Sequence, residues 1–277
     1  MAASVRSSQF PPKNELSGCR TGTALLAQLG APTRPRGHLT EIKLRNAITW
    51  LTLLCAGASA WAGRPLATDD AATADLGRCQ FESWVERDRE NRALVLAPAF
   101  GVAKGVELGA DYTRPSPRDT VRGAGGLALK WVPESWRLGT ALGEMNFGLK
   151  LATAYQQPAG VGWRHAEASV LALASLKASD AWAMHANLGL ARDRAARESA
   201  TLLNLAAVWT PAERALLFAE AQANNKRATF GGTVSRAGAR WWLHPERFGI
   251  DLTAGRQSGS GTGTSWGLGF GWYGLAF

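Results

Sequence analysis

Only 3 of the 277 residues are cysteine and only 3 are tyrosine. After residue 62 no apolar run reaches the roughly 20 residues that a membrane-spanning helix requires, so a helical span is excluded there. Cys19 and Cys55 both precede that point, which leaves Cys79 alone in the remainder and removes any intramolecular disulfide from it. No glycine-rich loop opens a helix, no serine sits in a nucleophile elbow, and no zinc-ligand spacing occurs. No catalytic residue, metal ligand or cofactor site is therefore expected. Basic stripes with interleaved aromatics are missing as well, which argues against a nucleic-acid partner. The formal charge of +9 does not contradict this. Residues 1–62 hold seven Lys/Arg and two Asp/Glu, and removing them from the 31 and 22 of the whole chain leaves 24 and 20, a near balance.

What is present is apolar and aromatic: 46% hydrophobic residues, 31 glycines and 12 tryptophans, a composition that folds. Lys43 and Arg45 precede an apolar run over residues 47–56, and Ala60 and Ala62 follow as small residues on either side of Trp61. That order is a signal peptide over residues 43–62, cleaved before Gly63. Residues 1–42, rich in Ser, Pro and Gly without apolar periodicity, form a non-structural extension, consistent with an over-long translation start. Residues 63–79 are expected to be a periplasmic N-terminal segment, and residues 80–277 the folded domain.

The dominant pattern in that domain is alternation of period two, which marks strands whose two faces meet different surroundings. Twelve segments follow it: residues 80–87, 94–102, 106–113, 125–132, 145–156, 165–177, 182–192, 201–210, 215–224, 229–243, 248–255 and 264–277. In the seventh, Trp182, Met184, Leu188 and Leu190 oppose His185 and Asn187; in the third, Val106, Leu108 and Tyr112 oppose Glu107 and Asp111. A soluble sandwich also alternates, so three further features decide. Tyr112, Trp131, Tyr155, Trp182, Trp209 and Trp241 lie on apolar faces near strand ends, as in the aromatic girdles of membrane barrels. Connections alternate between short (residues 103–105, 178–180, 211–214, 244–247) and longer polar ones (114–123, 157–164, 192–200, 256–263). Residues 133–144 break that rule, which points to a small extra element or a miscounted strand. Finally, Tyr273, Leu275 and Phe277 end the chain at alternate positions and resemble the terminal strand that the barrel assembly machinery reads. Trp266, Leu268, Phe270 and Trp272 stand in the opposite phase, so a bulge near Trp272 is expected. The predicted fold is an all-β transmembrane antiparallel up-and-down β-barrel of about 12 strands. Ten is the other even count, because Pro98 would delete a ladder donor in the second segment.

The run Gly63-Arg64-Pro65-Leu66-Ala67-Thr68-Asp69-Asp70-Ala71, shortly before a strand carrying Glu82, resembles the start of bacterial outer-membrane proteins grouped with the meta-pathway phenol-degradation transporters. The resemblance implies a barrel in the outer membrane that passes small organic compounds. It covers the mature N-terminus only. Asp69 and Asp70 read either as a solvated turn or as groups that cap something at the periplasmic mouth.

The polar faces supply a candidate lumen: Glu107, Asp111, Lys130, Lys150, His165, Glu167, Arg236 and Arg240, with Glu82, Glu86, Lys177, Glu220 and Asp251 beside them. Opposite charges in a narrow lumen form structural ion pairs, or the four cations Lys130, Lys150, Arg236 and Arg240 set a pore's selectivity. His165 and Glu167 share a strand face, with His185 in reach, but that spacing is simply the period of a strand and fixes no third ligand, so no acid-base or metal site is assigned. The expected function is a passive channel or transporter for small organic solutes in the bacterial outer membrane, with outer-membrane lipid and the assembly machinery as partners. Two other classes stay open: a lipid-modifying enzyme with a Ser–His pair on the lipid-facing wall, for which no suitably placed serine is found, and a non-transporting structural barrel.

Overall fold

The computed structural model describes residues 66–118, 120–258 and 263–277. The signal peptide with Ala60 and Ala62, and the extension over residues 1–42, lie outside the described residues. The strands are β1 (Arg78–Arg87), β2 (Arg92–Ala103), β3 (Val106–Ser116), β4 (Val121–Trp131), β5 (Leu138–Thr140), β6 (Gly143–Pro158), β7 (Arg164–Lys177), β8 (Trp182–Asp193), β9 (Ser199–Ala212), β10 (Ala215–Asn224), β11 (Val234–His244), β12 (Phe248–Gln257) and β13 (Gly263–Ala276). Except for β4 and β5, sequential neighbours pair antiparallel; β1 pairs with β13, and β4 pairs with β6. The result is a closed barrel of twelve strands, with β5 as a thirteenth strand attached to the foot of β6. Closure satisfies every interior strand on both sides, the condition under which a sheet can stand in lipid.

Each of the twelve predicted segments corresponds to one wall strand. The tenth is shorter than its pattern suggested: residues 229–233 leave the wall, and a one-turn helix α1 (Arg227–Phe230) ends in the buried ring of Phe230. The second strand is in the wall despite Pro98. Its missing N–H coincides with an interruption of the β2–β3 ladder, which pairs Leu96 with Tyr112 and resumes at Ala99 with Gly109. Residues 133–144 do form a small extra element, a 3-10 turn over Glu134–Trp136 followed by β5, and Trp136 packs on Trp131 with ring centroids 4.8 Å apart.

Both ends of the barrel wall, Arg78 and Ala276, meet at one rim, here called the near end; the opposite rim is the far end. Two aromatic rings mark the outer surface. At the near rim Trp182 stacks on Trp209 at 5.8 Å, and Trp131, Trp241 and Trp272 are exposed; at the far rim Tyr112 meets Trp163, and Tyr155 and Trp266 are exposed. Between them Leu127, Leu151, Leu188, Leu205, Leu252 and Leu268 are exposed apolar side chains. Such a belt between aromatic girdles is the lipid-facing surface of a transmembrane barrel.

The terminal strand contains the expected irregularity. Cys79 lies opposite Leu275 but Phe81 lies opposite Trp272, and Gly274 within the slip adopts φ +66°, which favours glycine. The slip separates the three alternate residues. Tyr273 is buried inside the barrel, whereas Phe277 is exposed and meets the Phe100 ring edge-on at 5.5 Å.

Candidate functional site

The interior is where the charged residues gather, and its far end and near end are separated by a segment that is not part of the wall. Residues 66–76 run inside the barrel before β1 begins, so the segment expected in the periplasm is placed in the lumen from residue 66 onward. The strap is fixed at successive strands. The backbone N–H groups of Ala67 and Thr68 donate to the Glu220 carboxylate of β10 at 2.8–3.1 Å, and the Thr68 hydroxyl adds a third donor. Asn187 of β8, 1% exposed, both accepts from the Asp69 N–H at 2.9 Å and donates to the Asp69 carbonyl at 2.8 Å. Ser175 of β7 accepts from the Ala71 N–H at 2.7 Å, and Glu107 of β3 accepts from the Ala74 N–H at 2.8 Å. At Gly101 of β2 a Cβ would fall on the backbone oxygens of Ala74 and Asp75, so only glycine lets the strap lie flat on the wall before Leu76 pairs with that residue. The Ala and Thr residues of the strap are small enough to cross the lumen. Its extended backbone leaves N–H groups that the wall's polar side chains satisfy.

Its two carboxylates carry the strongest contacts. Asp69 accepts from Lys150 at 2.7 Å and lies 3.5 Å from Lys130; Asp70 accepts from Lys130 at 3.1 Å. Asp69 and Asp70 are therefore not a solvated turn. Of the four cations expected to tune a pore, both lysines are engaged by the strap, and both arginines are engaged by the wall. Arg240 forms a bidentate pair with Asp251 at 2.6 and 2.7 Å, its guanidinium lying over the Trp242 and Tyr273 rings, and Arg236 bridges Glu220 and Glu86 at 3.2 and 3.3 Å. Tyr273 donates to Glu82 at 2.6 Å from the same side.

The His165–Glu167 pairing is corrected. A slip in the β6–β7 register sets His165 opposite the exposed Tyr155 but Glu167 opposite the buried Ala154, so the two side chains leave opposite faces of the wall. Glu167 faces inward; His165 contacts the backbone carbonyl of Glu167 and accepts from Arg194 at 3.2 Å near the far rim. One pair went unnoticed in the sequence. Ser175 and His185 are hydrogen-bonded at 2.8 Å inside the lumen, although they sit on adjacent strands ten residues apart. Their register was available from the alternation. The serine is beneath the strap and already accepts from Ala71, an arrangement of structural packing rather than of a lipid-facing nucleophile. Among the described residues no group of His, Cys, Asp and Glu is arranged to hold a metal.

Two chambers remain. The far chamber, of about 330 Å³, is lined by Gln80, Trp84, alanines of several strands and Phe230 of the far loop; its charged lining is Asp69, Asp70, Glu82, Glu107, Asp111 and Glu167 against Lys130 and Lys150. The near chamber, of about 590 Å³, is lined by Ser175, His185, Thr210, Arg240, Trp242 and Tyr273 among others. Leu66 and Asp70 of the strap line both, so the strap is the partition between them.

Among solved structures the chain is similar to the KdgM porin, with a TM-score of 0.52 at 8% identity over 70% of this chain and 98% of that one. It is similar also to the NanC porin, with a TM-score of 0.52 at 5% identity over 70% of this chain and 98% of that one. An outer-membrane channel from Pseudomonas putida F1 matches with a TM-score of 0.47 at 10% identity, over 73% of this chain and 97% of that one. At such identities the likeness is one of fold, a porin-type barrel. No curated protein matches the chain. A family model matches residues 50–271, and the chain belongs to the family it describes, Uncharacterised conserved protein UCP029691.

Proposed function

We propose that the protein is a passive, non-enzymatic channel for small organic solutes in the outer membrane of a Gram-negative bacterium, with its near rim in the periplasm and the strap as its constriction. The observation that carries this reading is a polar lumen divided into two chambers, inside a wall whose outer face is apolar between two aromatic girdles. The resemblance of residues 63–71 to phenol-degradation transporters supports a small organic cargo, and the porin fold of KdgM and NanC supports passive flux. On this reading the signal peptide is removed at Ala62 before the strap seats, and Leu275 and Phe277 serve the assembly machinery.

Transit requires the strap to shift, because Leu66 and Asp70 stand between the chambers. Purified protein in planar bilayers is expected to give small single-channel conductances, and proteoliposomes to swell in small solutes. Folded protein, recognised by migration on a gel that changes on boiling, that passes neither ions nor solutes would refute the proposal.

A further inference from the structure

We infer that the far chamber is a binding site for small organic cations, short alkylamines above all, which names the solute class of the channel and rests on that reading. At about 330 Å³ it falls in the size range of small-molecule pockets, about 300–1,000 Å³. Two of its six acids, Asp69 and Asp70, hold its two lysines, Glu107 adds a 3.9 Å contact to Lys130, and the acids remain in excess by four. A field of that sign favours a cation and repels a carboxylate solute. KdgM, by contrast, has been solved in complex with disordered oligogalacturonate.

The excess of acid is not the only pointer. Gln80 lines the chamber and is 6% exposed, yet its Oε1 has no hydrogen-bond partner among the described residues, while its amide nitrogen donates to Glu107 at 3.5 Å. A buried amide oxygen left without a donor forfeits its hydration, and a ligand N–H removes that penalty. An ammonium group supplies three donors and no acceptor, so it suits Gln80 and the neighbouring carboxylates together. Trp84 presents an indole in the same lining, and an aromatic face attracts a cation further. Ala97, Ala128 and Ala152 leave room beside these groups for a short hydrocarbon chain.

The test is calorimetric titration of the full-length processed protein in detergent with n-butylammonium chloride, against sodium butyrate and n-butanol. Saturable binding of the amine alone is expected. Gln80→Leu and Asp111→Asn, each checked for heat-modifiable migration, are expected to weaken it roughly tenfold, the equivalent of one charge-assisted hydrogen bond. Butyrate binding as well as the amine, or amine binding unchanged in both folded variants, would overturn the inference. Bilayer recordings separate it from the channel reading: amine binding without conductance would sink the channel and keep the site. Conductance without amine binding would keep the channel and sink the site.

Discussion

The two sides of the lumen neutralise buried charge in different ways. On the side of β10 to β13 the partners are cross-strand neighbours: Arg240 stands opposite Asp251 and Arg236 opposite Glu220 in the ladder itself. On the side of β3 to β8 the short contacts of the wall's Lys130 and Lys150 are to Asp69 and Asp70, which reach them from the strap, and the cross-strand neighbour Glu107 adds only a longer 3.9 Å contact to Lys130. The first kind of pair is as permanent as the wall. The second lasts only while the strap is seated, so one side is architecture and the other is a latch. On the proposed channel reading, that contrast is what a movable constriction needs.

The comparison breaks most visibly if the strap is removed. A chain lacking residues 66–74, with leader and cleavage site intact, should still form the barrel and should show the largest rise in single-channel conductance of any variant considered. An unchanged conductance would mean that the strap is not the constriction. Next in size is Arg240→Ala, which strands Asp251, 1% exposed, without its bidentate partner. Breaking a buried pair from one side costs about 3–5 kcal/mol. Urea unfolding in detergent should therefore show a large loss of stability with little change in conductance.

Asp69→Asn attacks the latch instead. It removes the 2.7 Å contact to Lys150, a charged hydrogen bond of about 1.5–3 kcal/mol, which is roughly a ten- to 150-fold shift toward the unseated strap. Here the expected readout is more frequent or longer openings with the unfolding midpoint nearly preserved. A midpoint that falls as far as that of Arg240→Ala would erase the distinction between the two sides. Gly101→Ala is subtler, because it changes no charge and places a methyl on the oxygens of Ala74 and Asp75. It should raise proteolytic cleavage within the strap at its β1 end. Smallest in effect on the folded protein is deletion of Phe277, an exposed rim aromatic. It should lower the amount reaching the membrane while leaving the unfolding midpoint of assembled protein close to that of the intact chain; equal amounts in the membrane would remove its role in assembly.

Much of this was legible in advance because a barrel strand writes its two environments into alternate residues. Met184, Leu188 and Leu190 out with His185 and Asn187 in follow from the pleat alone, and so does the sign of each face, whereas the choice of twelve strands over ten came with the Pro98 strand's place in the wall. Even the terminal slip could be foreseen, since the aromatic phases of residues 266–272 and 273–277 disagree. The alternation failed where the ladder itself is irregular. A bulge separates His165 from Glu167, and no pattern of residue types announces which side of a two-residue interval it falls on.

What the sequence by itself determined, then, is the wall: its period, its lipid face, its even strand number and the inward set of charges, all of which are local consequences of backbone geometry. Only the tertiary structure decided what those charges hold. Asp69 meets Lys150 across 81 residues and Thr68 meets Glu220 across 152. A strap without periodicity carries no mark of its partners, because its place is fixed by the closed lumen around it and by the need of its backbone N–H groups for acceptors there.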